Sequence, residues 1–194
     1  MVRMSHRIDG RVRSERLRRI TEVLNRLEHR QEGVVRDKPN WQKELAYVRA
    51  GKGELLPVTV VCDVYGENRK TNERLAFELK APMPNSDQTK VSKEKMIKLY
   101  CMEPSKIDAA YYALPYNPYG RKEDYAWTYP ARWFNMKEDE VVLIGDEFWN
   151  RIGGRGTYES FIRAVNEIGK EYRDRIYREY LGIEPPADAD DERL

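Results

Sequence analysis

The sequence predicts an α/β protein, a mixed sheet of four to five strands flanked by helices. Three observations predict it. Two apolar-rich runs, 58–65 (VTVVCDVY) and 75–81 (LAFELKA), flank a polar segment, 66–74, carrying Gly, Asn and Thr; this is a β-hairpin with a long loop. Two further short apolar runs, 107–114 (IDAAYYAL) and 140–144 (EVVLI), follow the hairpin. Segments of helical periodicity lie around them, and such alternation builds layers about one core. A chain of 194 residues, 40% hydrophobic, is long enough for that core.

The elements follow in order. Residues 12–30 are predicted as a helix, with Leu17, Ile20, Leu24 and Leu27 on one side and Ser14 as its cap, although its Arg-rich start opposes the helix dipole. A polar linker ends at Pro39-Asn40. Asn40 then caps a short helix over 41–49, stopped by Gly51 and Gly53. After the hairpin, the loop APMPNSDQT leads into a helix reaching about Met102, with Ser92 or Thr89 as its cap. Lys90, Lys93, Lys95 and Lys98 crowd that helix; Met96, Leu99 and Tyr100 supply its apolar side.

The run 107–114, closed by Pro115, reads as a buried strand. PYNPYGRKEDYAWTYPARWF is the densest aromatic stretch, interleaved with Arg121, Lys122 and Arg132. The strand at 140–144 passes through Gly145 to a helix around 148–152, ended by Gly153-Gly154. Thr157 opens a long amphipathic helix with Phe161, Val165, Ile168, Tyr172, Ile176 and Tyr180 on one side. Beyond Pro185-Pro186 an acidic tail is expected to be disordered. The expected division is a basic helical segment at 1–38, a catalytic domain at 39–183 and the tail at 184–194.

A formal charge of +2 averages unlike ends. Residues 1–38 hold ten Arg and one Lys against six acids, and residues 187–194 hold four acids and one Arg. That asymmetry is compatible with nucleic-acid binding, and equally with helices wearing Arg and Glu on a wet face. Two cysteines and two histidines without zinc spacing exclude a disulfide framework, a zinc site and a His-based triad. No apolar run approaches the roughly 20 residues that span a bilayer, so a soluble, cytoplasmic protein is expected.

Asp63, Glu78 and Lys80 carry the chemistry. Side chains alternate along a strand, so Glu78 and Lys80 share a face. Folding about the loop brings Asp63 opposite 76–78, where opposed Cβ atoms sit roughly 5 Å apart. Two carboxylates at that separation repel unless a cation lies between them, and a hard divalent ion with oxygen ligands, such as Mg²⁺, suits them. The arrangement is that of metal-assisted phosphodiester hydrolysis. An acid-x-Lys on a strand is also what a solvated face carries.

An acid followed some fifteen residues later by acid-x-Lys on the adjacent strand resembles the PD-(D/E)xK nucleases. Here it reads Cys62-Asp63 and Glu78-Leu79-Lys80, with Cys62 where that pattern has proline. The blocks AFELKAPMPNSDQTKVSKEKM, YYALPYNPYG and VLIGDEFWNRIGGRGTYESFI, in that order, resemble the TdeIII family of type II restriction endonucleases. The N-terminus is shorter than that family suggests and is expected to be truncated or mis-assigned.

The resemblance implies Mg²⁺-dependent cleavage of double-stranded DNA at a short palindrome of GGNCC type. It also implies a homodimer, because palindromes mirror two-fold symmetry, and a cognate DNA methyltransferase that shields self-DNA. Asp63 and Glu78 would ligate the metal, with the Leu79 carbonyl as an extra oxygen. Lys80 would orient or help deprotonate the attacking water.

Glu44, in competition with Glu54, is a candidate further ligand, against the alternative of a surface acid. Gln88 and Lys90 are candidates for the DNA backbone, against capping and solubility. Arg121, Lys122 and Arg132 are candidates for base reading, against a loop whose aromatics only seal the core. The long C-terminal helix is a candidate dimer interface. Two other readings remain open: a structure- or damage-specific nuclease of the same kind, and a non-catalytic DNA-binding protein that keeps the fold.

Overall fold

The computed structural model describes residues 1–28 and 35–186. The chain divides into two compact units, Met1–Ile144 and Gly145–Leu194. The first unit is built on a five-stranded sheet in the order β1-β2-β3-β4-β5. Its strands are β1 (Val2–Arg13), β2 (Leu55–Glu67), β3 (Arg74–Leu79), β4 (Ala109–Leu114) and β5 (Val142–Ile144). The mixed sheet flanked by helices is the class the sequence predicts.

The hairpin folds as its pattern dictates. β2 and β3 pair antiparallel from Val64↔Phe77 to Glu67↔Arg74. In the loop the Asn68 carboxamide oxygen accepts from the Lys70 amide at 2.9 Å, an Asx turn. β3 and β4 run parallel, Leu75↔Ala109 to Leu79↔Ala113. A parallel pair needs a crossover. Helix α3 (Ser86–Cys101) supplies it, and places its own side chains over the ends of β2 and β3.

The N-terminal residues correct the sequence reading. The helix predicted from residue 12 begins at Ser14 as α1 (Ser14–Glu28), and the preceding twelve residues form strand β1. The predicted end of that helix, at 29–30, lies outside the described residues. β1 alternates buried Ile8 and Val12 with exposed Arg7, Asp9 and Arg11, the period of a half-buried strand. Its charged face conceals that period from a hydrophobicity count. Gly10 brings the strand close to α3: a β-carbon there would meet the Met102 sulfur at 2.7 Å, so that side chain would have to shift.

Helix α2 (Trp41–Arg49) is capped as predicted: the Asn40 side chain accepts from the Lys43 amide at 3.0 Å, a contact worth about 1 kcal/mol. The cap of α3 is neither Ser92 nor Thr89. Asn85 fills that place and accepts from the Gln88 amide at 2.8 Å. Thr89 and Ser92 lie inside the helix and are fully buried. The core gathers Val60, Cys62, Ala76, Tyr112 and Leu114 from the sheet against Ile20, Leu24 and Leu27 of α1 and Met96 and Leu99 of α3.

The second unit contains α4 (Asp146–Gly153) and α5 (Thr157–Arg175), followed by a π-helical segment, Ile176–Leu181. Trp149 stacks on Phe161 with ring centroids 4.1 Å apart. The predicted stripe is exposed at Val165, Ile168, Tyr172, Ile176 and Tyr180. Residues 187–194, the expected acidic tail, lie outside the described residues. Among the described residues no helix is long and apolar enough to cross a membrane.

Candidate active site

Asp63, Glu78 and Lys80 come together. The Lys80 amide donates to the Ala113 carbonyl at 3.0 Å, which extends the β3–β4 ladder one residue and pins the backbone behind the side chains. Asp63 Oδ2 accepts from the Leu79 amide at 2.8 Å and from Lys80 Nζ at 2.9 Å. The same ammonium donates to the Leu79 carbonyl at 2.8 Å and lies 3.5 Å from Glu78 Oε2. Three oxygens from three residues therefore surround one cationic nitrogen.

Glu78 is only 2% exposed. Burial pushes its carboxyl above the ordinary range, and Asp63 adds to that effect, while Lys95 and Lys80 oppose it. The Ser92 hydroxyl donates to Glu78 Oε2 at 3.2 Å, and Lys95 Nζ lies 3.1 Å from both carboxylate oxygens. Two acids thus face two lysines. The group opens into a cavity of about 640 Å³ lined also by Leu79, Asp87, Gln88 and Val91. Neighbouring Cys62 is buried, with its thiol pushed up to about 11 mainly by desolvation, which disfavours the thiolate.

Ser92 and Lys95 are functional candidates that sequence reasoning missed, having taken one as a cap and the other as one of four lysines crowding the helix. A signal was present. Gln88, Ser92 and Lys95 recur at i, i+4, i+7, one face of a helix, and that face meets the acidic strands.

The other candidates are placed as follows. Gln88 lines the cavity. Lys90 does not; its Nζ lies 2.5 Å from Glu28 Oε2 and sits over the Trp133 ring. Glu44 pairs with Lys93 at 2.5 Å and lines a different cavity, with Arg26, Lys38 and Lys43. It is not among the oxygens that surround Lys80. Glu54 is exposed, and its carbonyl accepts from the Ser14 amide.

None of Arg121, Lys122 and Arg132 lines the acidic cavity. Lys122 Nζ donates to the Val142 carbonyl at 2.6 Å. In the same stretch Trp133 is buried, and Tyr119 and Trp127 pack on the core, whereas Tyr116 and Tyr129 are exposed.

The donor set suits a hard cation. The Asp63, Glu78 and Leu79 oxygens already converge on a positive group, and oxygen ligands are what Mg²⁺ takes. Among the described residues no cluster of three or more His, Cys, Asp or Glu side chains gathers. A cation here would therefore complete its shell from the Leu79 carbonyl, solvent and a phosphate, and Mg²⁺ usually keeps several waters.

Comparison with known proteins gives a consistent answer. The family model described as "Type II restriction endonuclease, HinfI" matches residues 1–169. The type II restriction enzyme HgiCII of Herpetosiphon aurantiacus is 28% identical over 125 residues, 63% of this chain and 45% of that enzyme. HgiEI, from the same organism, is 30% identical over 113 residues, 57% of this chain and 40% of that enzyme. The chain thus spans less than half the length of the curated relatives it matches. No solved structure matches. The chain belongs to the HinfI family of type II restriction endonucleases; the TdeIII blocks led to the same enzyme class under a different family.

Proposed function

We propose, from that membership, that this chain carries the hydrolytic centre of a type II restriction endonuclease. It acts on double-stranded DNA, cutting at a short palindrome for which a GGNCC-type sequence is the specific expectation. The observation that carries the reading is the convergence of the Asp63, Glu78 and Leu79 oxygens on Lys80 at the wall of an open cavity. The PD-(D/E)xK pattern, with Cys62 in place of its proline, accounts for the same three residues.

Asp63, Glu78 and the Leu79 carbonyl would hold Mg²⁺, which supplies charge to stabilise the transition state and acidifies water. Lys80 stands beside these oxygens, placed to orient the attacking water, accept its proton after releasing its own, and bind the phosphate. Ser92 and Lys95 fix the Glu78 carboxylate from α3, so that both acids stay aimed at one point. The cavity leaves that point open to a backbone phosphate. A homodimer fits a palindrome, with the exposed stripe on α5 as its contact, and a cognate methyltransferase shields self-DNA.

Incubating the purified protein with unmethylated plasmid DNA and Mg²⁺, then sequencing the ends, tests this. Discrete fragments with one shared terminal sequence are expected, and Asp63→Asn should abolish them. Smearing or structure-dependent nicks would point to a different nuclease. Intact DNA under Mg²⁺ and Mn²⁺ alike would end the reading.

A further inference from the structure

Resting on that reading, we infer that the outer face of the β1–β2 ribbon is the surface that seats duplex DNA across the Asp63–Glu78 site. On it Arg7 is set toward a base edge and Arg11 toward a phosphate.

The topology isolates this surface. β2 pairs with β1 from Val2↔Gly66 to Arg13↔Leu55, with one break beside Asp63, but with β3 only over Val64–Glu67. The remainder of β2 is a two-stranded antiparallel ribbon, an element the DNA major groove admits. One ribbon face is sealed by Ile8, Val12, Val60 and Cys62. The other exposes Arg7, Asp9 and Arg11 beside Thr59 and Val61.

Strand alternation joins this outer face to the site. Thr59 and Val61 lead along this face to Asp63, where the alternation ends: Tyr65 packs on the core, and the Asp63 side chain turns to Leu79 and Lys80. The β1–β2 ladder is interrupted beside Asp63: Met4↔Val64 and His6↔Cys62 pair, while Ser5 between them has φ 46° and no partner in the register. A non-glycine residue in that conformation is uncommon in a strand and clusters at functional positions.

Distances match a short duplex. Arg7 lies across from Val61 and Arg11 across from Pro57, two and six residues from Asp63 along β2. At about 3.3 Å per residue these are roughly 7 and 20 Å. The second is about six base pairs at a rise of about 3.4 Å.

The two arginines differ in a useful way. Arg7 Nε lies 3.0 Å from both Asp9 oxygens, and its Nη2 lies 3.3 Å from Thr59 Oγ1. The Thr59 hydroxyl in turn donates to Asp9 at 2.5 Å. The guanidinium is steered rather than hidden, since its side chain is 68% exposed. Fixed arginine forks suit guanine O6 and N7. Arg11 forms no ion pair among the described residues, as a mobile phosphate contact requires. Lys122, its rival from the aromatic stretch, is tied to the Val142 carbonyl.

The test uses the full chain with a fluorescent random-sequence 30-bp duplex, read by anisotropy in Ca²⁺, and plasmid digestion in Mg²⁺. Arg11→Ala should weaken duplex binding roughly ten-fold and lower the log–log salt slope by about 1, and Arg11→Lys should restore most of the affinity. Arg7→Ala and Arg7→Lys should both slow cleavage by roughly ten- to hundred-fold and broaden the set of end sequences. Asp63→Asn should not cut. Both arginines are exposed, so melting temperatures should match.

If the ribbon variants bind and cut like the parent, while Arg121→Ala with Arg132→Ala loses binding, the ribbon assignment is overturned and the nuclease reading stands. If ribbon variants lose binding but the parent never cuts, the ribbon holds and hydrolysis fails. A parent that neither binds nor cuts overturns both.

Discussion

Helix α3 carries two lysines, two residues apart, that meet glutamates in opposite circumstances. Lys93 is fully buried, 2.5 Å from Glu44, and donates to the Trp133 carbonyl. Glu44 also accepts from the Asn40 amide at 3.0 Å, so its oxygens already face fixed donors. Lys95 meets Glu78 at 3.1 Å, but this pair borders the open cavity together with Asp63 and Lys80. Burial of an ion pair therefore does not by itself mark a place for chemistry. What distinguishes the second pair is a surplus of oxygens, Asp63 and the Leu79 carbonyl beside Glu78, converging on one point at a cavity wall.

The largest effect should come from the open cluster. Asp63→Asn and Glu78→Gln should each lower single-turnover cleavage at least as much as Lys80→Ala, whose loss is about 10²–10⁴-fold if it serves as general base. Neither should lower the melting temperature by more than a few degrees. A Lys80→Ala deficit exceeding both carboxylate deficits would break the ordering.

The Lys93–Glu44 pair should show the reverse. Lys93→Met strands the Glu44 charge and should cost about 3–5 kcal/mol in urea unfolding, and Glu44→Leu in the same chain should recover most of it. Activity of the folded fraction should be near that of the parent. An activity loss without a stability loss would place this pair in the mechanism instead.

Between these extremes, Lys95→Ala should lower cleavage by roughly ten-fold, as expected for one charge-assisted contact of about 1.5 kcal/mol. Lys95→Arg should retain more of the rate. Mg²⁺ titrations separate positioning from packing: a higher Mg²⁺ requirement at unchanged stability is the expected result.

The smallest effect concerns pH. Burial raises the Glu44 carboxyl above its ordinary 4.5 even though Lys93 pulls it down. The folded state then binds that proton more tightly than the unfolded state. Its contribution to stability is fully present below 4.5 and is lost as pH rises through the raised value. Urea unfolding across that window should show stability falling with pH, and Glu44→Gln should flatten the slope.

Local patterns were legible because their causes are local. The hairpin, the Asn40 cap and the acid-x-Lys spacing need only strand period, cap chemistry and a loop. β1 escaped notice because Arg7, Asp9 and Arg11 mask the alternation of Ile8, Gly10 and Val12. Thr89 and Ser92 were read as caps because either hydroxyl suits a helix start, whereas Asn85 already occupied it. Ser92 was thereby freed to reach Glu78.

By itself the sequence determined the strands of the acidic hairpin, the candidates Asp63, Glu78 and Lys80, and the helix that follows them. Only the tertiary structure decided which charges share a space. It joined Glu44 to Lys93 and Glu78 to Lys95, and turned Lys90 to Glu28. The reason is geometric. Periodicity assigns a side chain to a face, but its partner comes from another element, chosen by packing around a common core.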